Sequence, residues 1–126
     1  MKKKSSLMLS LLFIFYCCAL VNVNAATYSK TKAASVSYNS QCTGKITDKA
    51  TVNSSSLDWS FSLSGTTTSS NNGYTFGSPY TSSTTYSNAR KTATHKVGYY
   101  FYNSSGNHVG GNTKTFTFNY SGSSIS

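Results

Sequence analysis

The chain has 126 residues, eleven basic against two acidic side chains, and a formal charge of +9; that length holds one hydrophobic core and no more. It contains no glutamate, and its only carboxylate side chains are Asp48 and Asp58, which excludes most hydrolase designs, above all glycosidases that flank the scissile bond with two carboxyl groups. No phosphate loop, dinucleotide glycine fingerprint or closed metal-ligand spacing is present, so neither a cofactor nor a metal is expected.

The chain opens with Lys2, Lys3 and Lys4, followed by an apolar run from Leu7 to Val21. A basic end followed by a short apolar core is the build of a secretory signal peptide. Val23 and Ala25 supply the small residues at −3 and −1, which predicts cleavage after Ala25, a signal peptide over residues 1–25 and a secreted, extracellular product. A permanent span needs roughly 20 apolar residues, and this run is shorter and interrupted by Ser10. Lipid attachment at Cys17 or Cys18 would want a small residue before the cysteine, where Tyr16 or Cys17 stands. Cleavage lowers the charge to +6 and leaves Cys42 as the one cysteine. It then has three roles open to it: a buried small hydrophobe, an intermolecular disulfide giving a Cys42-linked dimer, or a reactive thiol.

Beyond the leader, Ser, Thr, Asn, Gly and Tyr dominate, and apolar residues recur with period two, the period of half-buried strands. In chain order the predicted strands are Ser35 to Tyr38, Ile46 to Val52, Asp58 to Ser64, Tyr74 to Phe76, Tyr80 to Tyr86, Thr92 to Asn103 and Thr115 to Tyr120. The clearest are the third, with Trp59, Phe61 and Leu63 on one face, and the sixth. There Ala93, His95, Val97, Tyr99 and Phe101 share a face opposite Thr94, Lys96, Gly98, Tyr100 and Tyr102. Turn chemistry is expected at Ser64-Gly65-Thr66, Asn71-Asn72-Gly73, Gly77-Ser78-Pro79, Ser104 to Asn107 and Gly110-Gly111-Asn112. The Ser/Thr stretches Thr66 to Ser70 and Ser82 to Thr85 are expected as loops. About seven short strands without helical periodicity predict an all-β domain over residues 26–120, a small antiparallel β-sandwich, with a flexible tail at 121–126. The interval from Cys42 to Trp59 and the aromatic strand after it resemble an immunoglobulin-like layout, although the second cysteine of that layout is absent.

Chemistry offers few handles. Asp58 is expected to point outward at the start of its strand, Asp48 to sit at a turn or edge, and His95 to be a hydrogen-bonded core or rim histidine. No Gly-x-Ser-x-Gly elbow appears, and no local signature surrounds Cys42, so no enzyme activity is expected. The eight basic residues after the leader are dispersed, with Arg90-Lys91 the only adjacent pair, which does not announce nucleic acid.

Aromatic side chains are in excess: nine tyrosines, Trp59 and five phenylalanines follow the leader. Alternation places Tyr100 and Tyr102 on an outer sheet face, together with Lys96, Thr115, Thr117 and Asn119. Such a face suits a saccharide, whose apolar sides lie on rings while polar groups take its rim. The candidate ligand-binding residues are therefore Tyr100, Tyr102, Lys96 and Asn119, with loops around Tyr74, Tyr80 and Tyr86 as another location. Cross-strand tyrosine pairs can also stabilise a sheet with no ligand at all. The function expected is a non-catalytic binding module for glycan or anionic cell-surface material. A secreted antibacterial or toxin-like protein and an extracellular structural or matrix protein are the alternatives. Tyr86-Ser87-Asn88 followed by Lys91 to Val97 resembles a stretch of the lactococcin 972 bacteriocins over about a tenth of the chain. That family's flanking pattern is missing, and no residue role is carried over.

Overall fold

A computed structural model describes residues 25–126; the expected signal peptide, except Ala25, lies outside the described residues. Among the described residues, seven strands follow one another without a helix: β1 (Thr27–Tyr38), β2 (Cys42–Asn53), β3 (Trp59–Ser70), β4 (Thr75–Phe76), β5 (Tyr80–Ser87), β6 (Thr92–Tyr102) and β7 (His108–Asn119). They form two antiparallel sheets. The first has the order β1-β2-β3; in the second, β7 lies on one side of β6, while β5 and the two-residue β4 occupy successive lengths of its other edge. The first sheet is thus a meander of consecutive strands; in the second, β5, β6 and β7 follow one another while β4 pairs with β6 rather than with its neighbour in sequence. The immunoglobulin layout deals its strands between sheets through Greek-key connections, and this topology is not that one.

Period-two burial is clearest on the two central strands. On β2, Cys42, Gly44, Ile46, Asp48, Ala50 and Val52 are all buried; on β6, Ala93, His95, Val97, Tyr99 and Phe101 are. With Val36, Trp59, Phe116, Phe118, Tyr120 and Ile125, the apolar members form one core shared by both sheets. Burying each large side chain there is worth about 1.5–3 kcal/mol. Asp48 is the exception to the sequence expectation. It sits neither at a turn nor at an edge but in the middle of a central strand, because it shares the inward phase of Ile46, Ala50 and Val52. Across the core it is hydrogen-bonded to His95.

Two expected turns are strand interiors, and both contain glycines that make room for aromatic rings. Gly65 lies within β3, where a Cβ would come 1.8 Å from the Tyr99 hydroxyl. Gly110 lies within β7, where a Cβ would come 2.9 Å from the Tyr38 ring. A glycine inside a strand marks such close backbone approach as readily as it marks a turn. The Ser/Thr stretches are also strand, in β3 and β5. The Asn71 to Gly73 turn forms as expected, with positive φ at Asn72 and Gly73. The 121–126 segment, expected as a flexible tail, folds back so that Ile125 bridges Tyr120 and is buried, and Asn119 and Ser126 exchange backbone hydrogen bonds.

The two sheets meet differently along their two sides. On one, Asn112 Nδ2 donates to the Ser37 carbonyl at 2.9 Å, and Lys32 donates to the Thr117 carbonyl while its ammonium lies 5.2 Å from the Phe118 ring centre. These contacts tie β1 to β7. On the other, between β3 and the β4–β5 segment, a groove of about 550 Å³ opens, lined by Leu63, Gly65, Phe76, Pro79 and Tyr99 among others.

Candidate functional site

On the outer face of the second sheet, register rather than sequence proximity assembles the rings. Tyr80 of β5 lies opposite Gly98, His108 of β7 opposite Tyr102, and Gly111 opposite Tyr100. The Tyr80 and Tyr100 rings stack with centroids 4.3 Å apart and planes 4° from parallel. His108 stands edge-on to Tyr100 at 5.4 Å and to Tyr102 at 5.8 Å. The result is a ledge of four rings from three strands, with Tyr100 46% exposed. Burial, and after it the neighbouring Tyr100 hydroxyl, pushes the Tyr80 phenol above its usual value.

Of the residues expected to bind, Tyr100 and Tyr102 are brought together, and Lys96 and Asn119 are not. Lys96 does face outward, but four positions along β6 from Tyr100, about 13 Å away at the rise of a strand. Asn119 lies opposite Thr92 at the far end, about 26 Å from Tyr100, and accepts a hydrogen bond from the Thr92 hydroxyl. Tyr74 and Tyr86 are engaged elsewhere. Tyr74 stacks on Tyr38, which in turn stacks on Phe101, and Tyr86 lies under the Arg90 guanidinium at 4.2 Å. Arg90 closes a turn in which Asn88, Ala89 and Arg90 all have positive φ. The Trp59 indole holds this turn by donating to the Arg90 carbonyl at 2.8 Å.

A second polar constellation lies between the sheets. His95 Nδ1 is 2.6 Å from Asp48 Oδ2, and His95 Nε2 is 2.9 Å from the Thr81 hydroxyl. Phe61 stacks on the imidazole at 4.1 Å. Asp48 and His95 are fully buried, and Asp48 Oδ1 has no hydrogen-bond partner among the described residues; Thr81 is exposed. Sequence reasoning identified His95 as a core histidine but missed its partners. The phase of Asp48 among Ile46, Ala50 and Val52 was the signal that could have found one of them.

Cys42 is buried in the core, and burial pushes its thiol up. That position matches the small-hydrophobe reading. Asp58 is exposed at the start of β3, as expected. Among the described residues, no three His, Cys, Asp or Glu side chains gather to hold a metal ion, and no helix is long and apolar enough to cross a membrane. No protein family, curated protein or solved structure matches the chain.

Proposed function

We propose that this protein is an exported β-sandwich module that binds glycan or cell-surface material through the Tyr80–Tyr100–His108–Tyr102 ledge. The observation that carries the reading is the convergence of four rings from three strands on one outer face around an exposed Tyr100. Aromatic faces take the apolar sides of a sugar ring, and phenol and imidazole groups hydrogen-bond its rim. Tyrosine immobilises few rotors on binding, so little of the contact energy is lost to ordering. With Asp48 buried, Asp58 is the one exposed carboxylate side chain among the described residues. The basic surface around it favours polysaccharides or envelopes of neutral or negative charge.

Co-sedimentation with insoluble polysaccharides, with chitin, cellulose and peptidoglycan as separate arms, tests the proposal. Binding is expected in at least one arm and is expected to fall about fivefold in Tyr100→Ala, since stacking contacts are worth on the order of 1 kcal/mol and the ledge loses an exposed ring. Binding that persists unchanged in a Tyr100→Ala/Tyr102→Ala double variant overturns the site.

A further inference from the structure

The Thr81, His95 and Asp48 side chains form a chain of contacts that runs from the core to the exposed strand β5, away from the ledge. A hydroxyl, an imidazole and a carboxylate stand in line at 2.9 Å and 2.6 Å. An ionised carboxylate only accepts hydrogen bonds. A neutral ring facing one at Nδ1 would carry its proton there and leave Nε2 to accept from the Thr81 hydroxyl. That is the geometry in which a carboxylate orients an imidazole to draw a proton from an attacking hydroxyl.

The placement of each group agrees with such a role. Asp48 and His95 are buried on the central strands of opposite sheets, and the Phe61 ring packed on the imidazole fixes its plane. The hydroxyl at the end of the line belongs to an exposed residue on β5, the strand beside the open side of the molecule. Leu63, which lies opposite Asp48 in the β2–β3 register, also lines the groove there, as does Pro79, two residues before Thr81. A β-bulge follows at once: Ser82 has no residue opposite it on β6. Bulges of this kind recur beside active sites, where they re-aim a side chain.

We infer that Thr81 Oγ1 is a nucleophile activated by His95, that Asp48 is the positioning residue behind it, and that the site accepts the acyl group of a small ester entering between β3 and β5. In the first step Oγ1 bonds to the ester carbonyl carbon while its proton passes to His95 Nε2. The ester C–O bond then breaks, and the leaving oxygen takes that proton to depart as an alcohol, leaving acyl-Thr81. Water attacks the acyl carbon in turn and gives a proton to His95. Thr81 Oγ1 leaves, recovers that proton, and the carboxylic acid is released. No oxidant, reductant or metal enters the balance. The site is independent of the aromatic ledge, since Tyr80 and Thr81 face opposite sides of β5.

The test uses p-nitrophenyl acetate with the whole protein. A burst of p-nitrophenol is expected, with one acetyl group recovered on the peptide containing Thr81 by mass spectrometry. Thr81→Val keeps the shape of an exposed side chain and is expected to keep the fold by circular dichroism. It should lose the Thr81 label and slow release about a hundredfold, the lower end of what a positioned base contributes. Thr81→Ser should restore the label, and Ser82→Ala, which removes the neighbouring hydroxyl, should keep it. Absence of acetyl at residue 81 in the unaltered protein overturns the inference. So does a burst that survives in Thr81→Val, which would mean ordinary acylation of surface amines or phenols.

Discussion

The outer faces of the two sheets share a strand plan and differ in what covers it. On the first sheet the register rows read Ser29–Thr51–Ser60, Thr31–Lys49–Ser62, Ala33–Thr47–Ser64 and Ser35–Lys45–Thr66. No ring appears in these rows, and hydroxyls pair with one another, Ser29 with Thr51 at 2.9 Å and Ser37 with Thr43 at 2.8 Å. The second sheet begins the same way at one end, with Thr92, Thr94, Lys96, Thr115 and Thr117, and then changes to Tyr80, Tyr100, His108 and Tyr102. A hydroxyl-rich, lysine-dotted surface is therefore this protein's ordinary way of meeting water. The ring-covered end is a local departure from it, in a fold that already has aromatic side chains enough for its core.

The contrast between inner and outer faces should be the largest to break. Asp48→Ala leaves His95 Nδ1 without its partner inside both sheets and is expected to cost about 2–3 kcal/mol of unfolding free energy, read from the urea midpoint. Gly65→Ala comes next: its Cβ would meet the Tyr99 hydroxyl, which donates to the Lys45 carbonyl. A loss of about 1–3 kcal/mol in the same measurement is expected from this overpacking. Trp59→Phe removes the indole donor to the Arg90 carbonyl and should cost about 1 kcal/mol. Smallest are the outer-face changes, which sharpen the comparison between the sheets. Thr47→Ala should shift stability by no more than about 0.5 kcal/mol, whereas Tyr100→Ala should lose about 0.5–1.5 kcal/mol from its ring pair. A Thr47→Ala effect as large as that of Tyr100→Ala would erase the distinction drawn between the two faces.

Legibility in the sequence followed period. Where apolar and polar residues alternate without interruption, as at Trp59-Ser-Phe-Ser-Leu and Ala93 to Phe101, both the strand and its inward face were readable. Where glycine or serine broke the pattern, the strand was cut short: Gly65 and Gly110 look like turn residues until the rings of Tyr99 and Tyr38 that need their space are known. Asp48 was misplaced because its charge outweighed its phase. Tyr100 and Tyr102 were readable as an outward pair from alternation alone. Their neighbours Tyr80 and His108 come from strands whose register is decided by hairpin geometry and by bulges at Thr81/Ser83 and Phe101/Tyr102, and a one-residue slip there moves a ring to the other face. The same ignorance of register made Asn119 look like a near neighbour of the tyrosines, whereas the separation of Lys96 from Tyr100 follows from the rise of their shared strand alone.

The buried Cys42 makes the molecule its own stopwatch. A thiol inside the core and pushed up by burial reacts with an aromatic disulfide reagent only when the end of β2 opens. In a chain that begins at Ala26, where Cys42 is the one thiol, the rate of colour release therefore counts openings of the first sheet, with no label introduced. Applied to the Asp48 and Tyr100 variants, that count would tell whether a change loosens the junction of the sheets or merely strips one face, a distinction that a single melting temperature merges.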